Sequence, residues 1–296
     1  MDQADLSQSQ ADSLLRPPGL SRRAFVAAGL GAGLGAGFAL AVQPVAAQSL
    51  ITTDAQGLVA GMVEVPVADG RIPAYRAYPQ ARAAAPVVLV IHEVFGVHEH
   101  IRDLCRRLAK QGYYAISADL FARYGDATAI ADVQQLLATV VHKATDTQVK
   151  DDLDATVRFA AGEKADAARL AVTGFCWGGR QAWLYTAATP AVKAAAAWYG
   201  ALTAAPPGGR TVLSAAAAIH GRVIGFYGGQ DQGIDAASIA QMRATLAAAG
   251  DSATQIRVYP DAPHGFNADY RPSYRAADAK DAWSRMLAWF QAHGVA

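Results

Sequence analysis

Short apolar runs alternate along the chain with segments in which apolar residues return every three or four positions. Val63–Val67 and Ile72–Tyr78 read as two opening strands separated by the turn Ala68-Asp69-Gly70. Pro86–Ile91 is unbroken apolar sequence, suited to a strand buried on both faces. Ile101, Leu104, Cys105 and Leu108 then recur at i, i+3, i+4 and i+7, one face of a helix. Gly112 ends that helix and Tyr113–Ser117 makes the next strand. Helices are expected over Ala127–His142, Thr147–Ala161 and Trp177–Ala188, and strands over Leu170–Gly174, Val192–Tyr199, Arg222–Tyr227 and Gln255–Tyr259. A helix carrying Ile239, Met242 and Leu246 and a last one carrying Trp283, Met286, Leu287 and Phe290 complete the pattern. Leu202–Ala218, with Pro206-Pro207-Gly208-Gly209, reads as a surface loop. Strands alternating with helices predict an α/β fold with a mostly parallel sheet flanked by helices.

Residues 1–47 do not share this pattern. A polar stretch ends in Ser21-Arg22-Arg23-Ala24-Phe25, an uncharged run extends from Ala24 to Val42, and Pro44-Val45-Ala46-Ala47 offers small residues for cleavage after Ala47. Charged start, apolar middle and small-residue end describe a secretory signal. The paired arginines make it similar to a twin-arginine signal, which implies passage through the twin-arginine export machinery to the periplasm or beyond. The run carries glycines at 29, 31, 33, 35 and 37, which dilute its hydrophobicity, so no stable membrane anchor is expected once the leader is removed. Residues 48–296 then form one domain.

The chain of 296 residues is 52% hydrophobic and 17% charged with net charge +1, which excludes a disordered tail protein and disfavours a nucleic-acid-binding face. Its two cysteines cannot make a disulfide framework. A monomer is expected.

The chemistry is concentrated in Gly174-Phe175-Cys176-Trp177-Gly178-Gly179, a G-x-nucleophile-x-G element with cysteine at its centre, placed after a strand and before a helix. Glycines on both sides allow the sharp turn, and the helix start beneath Cys176 favours a thiolate. A cysteine nucleophile requires a base, and the base an orienting acid. Asp231 follows one strand in Gly228-Gly229-Gln230-Asp231, and His264 follows the last strand in Pro263-His264-Gly265-Phe266. The order Cys176, Asp231, His264 is that of an α/β-hydrolase triad. Taken singly, Asp231 could be a helix cap and His264 a turn residue.

Glu93, in His92-Glu93-Val94-Phe95-Gly96, occupies the loop that supplies one oxyanion-hole amide in such folds; it is either a partner of the thiol or a solvent-facing acid. His92, His98 and His100 lack a standard zinc spacing, so no metal is expected. Cys105 lies on an apolar helix face and reads as core.

Together with Ala118-Asp119-Leu120-Phe121-Ala122-Arg123, these motifs resemble the dienelactone hydrolase (carboxymethylenebutenolidase) family over about residues 58–294. The resemblance implies an α/β-hydrolase fold, no cofactor, and hydrolysis of an unsaturated lactone, dienelactone, to maleylacetate. It implies Cys176, Asp231 and His264 as the triad, Glu93 as the acid that helps form the thiolate, and the Val94 and Trp177 amides as the oxyanion hole. Family members carry an arginine shortly after the catalytic histidine for the substrate carboxylate; here that position is Ala268, with Arg271 and Arg275 further along, and Arg123 is taken as the substitute. The alternatives are an exported general carboxylesterase or thioesterase acting on a small-molecule ester, and a non-catalytic binding protein on the same fold.

Overall fold

A computed structural model describes residues 51–296 apart from 131, 164, 207 and 221, so the expected leader lies outside the described residues. Eight strands form one sheet in the order β1-β2-β4-β3-β5-β6-β7-β8. β1 (Leu58–Val67) and β2 (Gly70–Pro79) make an antiparallel hairpin in which Val67 faces Gly70. β2 joins β4 (Tyr114–Ala118) antiparallel, and from β4 onward every pairing is parallel: β3 (Pro86–Ile91), β5 (Asp166–Phe175), β6 (Val192–Trp198), β7 (Val223–Gly228) and β8 (Gln255–Tyr259). All residues of β3, β4 and β7 are buried, as their almost wholly apolar sequence requires, Ser117 of β4 being the polar residue among them.

Helices cover the sheet. α1 (Glu99–Lys110) lies on β2 and β4 and buries Ile101, Leu104, Cys105 and Leu108 completely. Between β4 and β5 run α2 (Val133–Thr139) and α3 (Asp146–Gly162), the latter started by Thr145, whose Oγ1 accepts from the Gln148 amide. α4 (Trp177–Ala188) packs on β5 and β6; α5 (Ala236–Ala248) follows β7, and α6 (Ala276–Ala292) packs on β6 and β7. This is the α/β-hydrolase architecture, with the C-terminal ends of the parallel strands along one edge, where such folds carry their sites.

The structure departs from the sequence reading in two places. The single helix expected over Ala127–His142 is broken into a 3-10 turn (Ala127–Ala129), α2 and a second 3-10 turn (Val141–Lys143). Asp126 starts the first turn by accepting from the Thr128 amide, Asp132 starts the chain anew by accepting from the Gln135 amide, and the second break falls at Val140, whose φ −124° and ψ −66° are not helical. The expected surface loop before β7 contains a 3-10 helix, Leu213–Ala218, with Leu202, Val212, Ala216 and Ile219 buried. Asp146 fixes it by taking the Arg210 amide on Oδ2 and the Arg180 guanidinium on both oxygens.

Candidate active site

β5 runs directly into the turn at Cys176, whose backbone stands at φ 56° and ψ −116°. Only a residue held from several sides keeps such a conformation. The Cys176 amide donates to Trp198 O on β6, and Cys176 O accepts from the Gly179 and Arg180 amides of α4. The flanking glycines are required by close approach. A Cβ on Gly174 would lie 2.0 Å from Gly178 O, and one on Gly178 would lie 2.3 Å from Ile91 O at the end of β3. The thiol is thereby presented, half-buried, at the N-terminus of α4.

The loops after β7 and β8 are zipped together. Gly229 N donates to Tyr259 O and Gln230 N to Ala262 O, which sets Asp231 against His264. Oδ2 of Asp231 lies 2.7 Å from Nδ1 of His264. Oδ1 accepts from the Gly233 and Ile234 amides. The two readings of Asp231 are therefore both realised, since one carboxylate caps a turn and orients the imidazole. Burial favours neutral His264, but the Asp231 carboxylate and Cys176 outweigh it and push the imidazole up to about 10. Its Nε2 is buried without a hydrogen-bond partner and lies within electrostatic reach of Cys176.

Glu93 is 1% exposed and does not face solvent. Its Oε2 accepts from the Tyr270 hydroxyl at 2.6 Å and lies 3.4 Å from His98 Nε2, while Oε1 is buried without a partner. Burial opposes the charge, yet His98, Arg271 and His100 hold the carboxyl at about 2. The next residue, Val94, and Trp177 at the start of α4 lie on adjoining segments. Neither amide donates to an acceptor among the described residues, so both are open to an oxyanion. His92 joins the two segments: its Nδ1 donates to Glu93 O at 2.7 Å, its Nε2 accepts from the Leu120 amide at 3.1 Å, and its ring stacks on Trp177.

Arg123, expected to hold substrate, is engaged elsewhere. Its guanidinium grips both oxygens of Asp69 in the β1–β2 turn and both of Asp152 on α3. Two carboxylates occupy its donors, so it staples the hairpin to a helix instead. The cation at the site is Arg271, 7% exposed, whose electrostatic neighbours are Tyr270, Glu93, Cys176 and Tyr199. It crosses the chain just after His264, where Gly265, at φ 71°, leaves room: a Cβ there would meet Arg271 Nη1 at 2.8 Å. Tyr199, with φ 40°, sets its ring edge-on to His264 and carries a buried hydroxyl without a hydrogen-bond partner. Burial keeps that phenol protonated, hence a donor.

The sequence matches the dienelactone hydrolase family over residues 72–294. The chain belongs to the dienelactone hydrolase family. A relative from Methylorubrum extorquens strain AM1, provisionally named a carboxymethylenebutenolidase, is 53% identical over 289 residues, covering 96% of this chain and 97% of its own. A relative of the same provisional name from Escherichia coli K12 is 48% identical over 261 residues, covering 87% of this chain and 96% of its own. The crystal structure of a provisional dienelactone hydrolase from Klebsiella pneumoniae superposes with a TM-score of 0.77 at 46% identity, covering 79% of this chain and 98% of that one. As a dienelactone hydrolase family member, the chain is a hydrolytic enzyme on the α/β-hydrolase fold.

Several residues of the site escaped the sequence reading. Tyr199, Asp269 and Tyr270 carry no motif, and their only common signal is burial of polar groups, which sequence does not display; the sequence raises His98 and His100 only as metal ligands. Among the described residues, no three His, Cys, Asp or Glu side chains are grouped to hold a metal ion, and no helix is long and apolar enough to cross a membrane.

Proposed function

We propose that the protein is a cysteine-nucleophile hydrolase of activated esters and lactones, with dienelactone, opened to maleylacetate, as its substrate. The observation that carries this reading is the strained Cys176 at the head of α4, with the unpartnered Nε2 of a buried His264–Asp231 dyad in electrostatic reach. Glu93 takes the proton of the Cys176 thiol, the thiolate attacks the lactone carbonyl, and the Val94 and Trp177 amides hold the oxyanion. The ring C–O bond breaks, the enolate leaves, and a thioester remains on Cys176. Water then attacks this thioester while His264 Nε2 takes its proton and Asp231 steadies the imidazolium, and the C–S bond breaks to release the acid and return the Cys176 thiolate.

The order of events accounts for a histidine held protonated at rest. Part of the upward push on His264 comes from Cys176. The departing enolate takes the proton from His264 Nε2, so the imidazole is neutral and able to accept a proton when water must be activated. Arg271, rather than Arg123, is the cation assigned to a substrate carboxylate. A thiolate leaves a tetrahedral intermediate readily, which favours carbonyls with good leaving groups such as enolates.

The test is hydrolysis of a dienelactone beside a simple aryl ester, by wild type and Cys176→Ala. Fast lactone opening that vanishes in Cys176→Ala, with unfolding temperature preserved, supports the reading. Aryl-ester turnover alone moves the substrate to general carboxylesters, and lactone opening retained by Cys176→Ala removes the nucleophile assignment.

We further propose that residues 1–47 direct twin-arginine export; the support is Arg22-Arg23 before the apolar run. Replacing both arginines by lysine should leave the protein in the cytoplasm on fractionation, and unchanged export would refute the assignment.

A further inference from the structure

Behind Glu93 lies a second buried Asp–His pair that the mechanism above does not use. Nδ1 of His100, in the first turn of α1, is 3.0 Å from Oδ1 of Asp269, and its Nε2 is buried without a partner. This repeats the arrangement of His264 on Asp231. Oδ2 of Asp269 accepts from Arg107 at 2.6 Å. The His100 ring stacks on His98, centroids 6.1 Å apart and planes 18° from parallel. His98 in turn sets Nε2 3.4 Å from Glu93 Oε2.

His98 sits at the N-cap of α1 but makes no capping bond, and cap positions favour Ser, Thr, Asp or Asn. Its ring is turned inward against Phe95 and Tyr270. Both ring nitrogens are buried without a well-formed hydrogen bond, so the 3.4 Å contact is an ion-pair distance that can tighten. The charged and titratable groups around it come from three segments. The loop after β3 supplies Glu93 and His92; α1 supplies His100 and Arg102; the loop after His264 supplies Asp269, Tyr270 and Arg271. Arg271 and Arg107 stand against the carboxylates of Glu93 and Asp269, and burial disfavours a second ring proton on His98, which faces Glu93 as a donor. Without it, burial would push the Glu93 carboxyl up, and a Glu93 that already holds a proton cannot take up that of the thiol.

We propose that His98, backed by the His100–Asp269 pair, is a positioning residue that keeps Glu93 anionic and thereby sets how far into acid Cys176 stays reactive. The proposal rests on the reading of Cys176 as nucleophile and Glu93 as its acid. Glu93 keeps Oε2 for the His98 Nε2–H and the Tyr270 hydroxyl, and takes the proton of the Cys176 thiol on Oε1, which has no partner. Loss of the His98 donor makes Glu93 hold its proton to higher pH. The acid limb of reactivity therefore moves upward.

The experiment follows iodoacetamide alkylation of Cys176 and kcat/KM for an aryl ester against pH. His98→Phe keeps the ring and its packing but removes both nitrogens; His98→Gln keeps an N–H that reaches toward Glu93. In His98→Phe the acid limb of both profiles is expected to move up by about one pH unit, the size of a lost hydrogen bond or charge partner, and His98→Gln to move it less. Profiles superimposable on wild type overturn the proposal, whatever happens to the unfolding temperature. If His98→Phe does not fold, His98→Met, which also lacks an N–H donor, takes its place, and an unshifted limb in it overturns the proposal. Cys176→Ala separates the two readings. Alkylation and turnover that survive in it refute the nucleophile, whereas a normal Cys176 reaction with an unshifted limb refutes only the role of His98.

Discussion

The imidazole of His92 lies flat against the indole of Trp177, ring centroids 5.5 Å apart and planes 16° from parallel. Its two nitrogens are occupied by Glu93 O and the Leu120 amide, which fixes one neutral tautomer. His92 thus ties together the segment bearing Glu93 and Val94, the loop after β4, and the head of α4. Replacing it by Phe leaves a buried carbonyl and a buried amide unpaired, each worth about 1–3 kcal/mol. His92→Phe should lower stability in urea and reduce kcat more than it raises KM, because the oxyanion amides lose their mutual placement. An unchanged kcat would show that the two amides are positioned without it.

The strain at Cys176 predicts a gain from an inactivating change. At φ 56° and ψ −116° a residue with a Cβ carries about 1–3 kcal/mol of strain, which glycine avoids. Glycine loses about 0.5–1 kcal/mol through its more flexible unfolded chain. Strain is the larger effect, so Cys176→Gly should abolish turnover and raise stability by about 1 kcal/mol in urea. A destabilised Cys176→Gly would show that the turn is not strained.

Arg123 and Arg271 should respond to substitution in opposite ways. Arg123→Ala leaves Asp152, 3% exposed, without its cation. Stability should fall by about 2–3 kcal/mol, near the low end for a broken buried pair, with KM unchanged. Arg271→Met should lower kcat/KM for a carboxylate-bearing lactone on the order of 10- to 100-fold, the worth of a hydrogen bond to a charged group, and affect a neutral aryl ester much less. A raised KM in Arg123→Ala would return the substrate carboxylate to that residue.

The buried ionised groups set a window of stability. Glu93 is held at about 2 against an ordinary value of 4.5, so its contribution is present above pH 4.5 and is lost as pH falls toward 2. His264 is raised from 6.5 to about 10, so its contribution is present below pH 6.5 and is lost as pH rises toward 10. Urea midpoints measured across pH should therefore decline on both sides. Glu93→Gln should flatten the acid slope and Asp231→Asn the alkaline one; slopes like those of wild type in either variant would place the titration elsewhere.

Much of this was legible in sequence for physical reasons. β3 and α1 announce themselves because full burial demands continuous apolar residues in a strand and a 3.6-residue rhythm in a helix. Gly174 and Gly178 are visible because backbone contact near 2 Å admits no other residue. The break at Asp132 was missed because a side-chain cap competes with a periodicity that looks helical throughout. Arg123 was misplaced because an arginine's partners are set by folding: Asp69 and Asp152 are distant in sequence and adjacent in space. His98 and Asp269 were invisible as a group for the same reason, since a helix start and a loop 171 residues on meet only in the folded chain.

The glycines around Cys176 divide the turn into a part that evolution can edit and a part that it cannot. Gly174, Gly178 and Gly179 each face backbone atoms within 2.4 Å of where a Cβ would stand, so drift at these sites is closed. The tip of the turn is under no such restriction, because the backbone there is shaped by its neighbours and not by its own side chain. The mould specifies where a nucleophile stands without specifying which atom it carries. A lineage with this turn can exchange sulfur for oxygen, and with it one range of acyl substrates for another, by a single codon change that leaves the scaffold untouched.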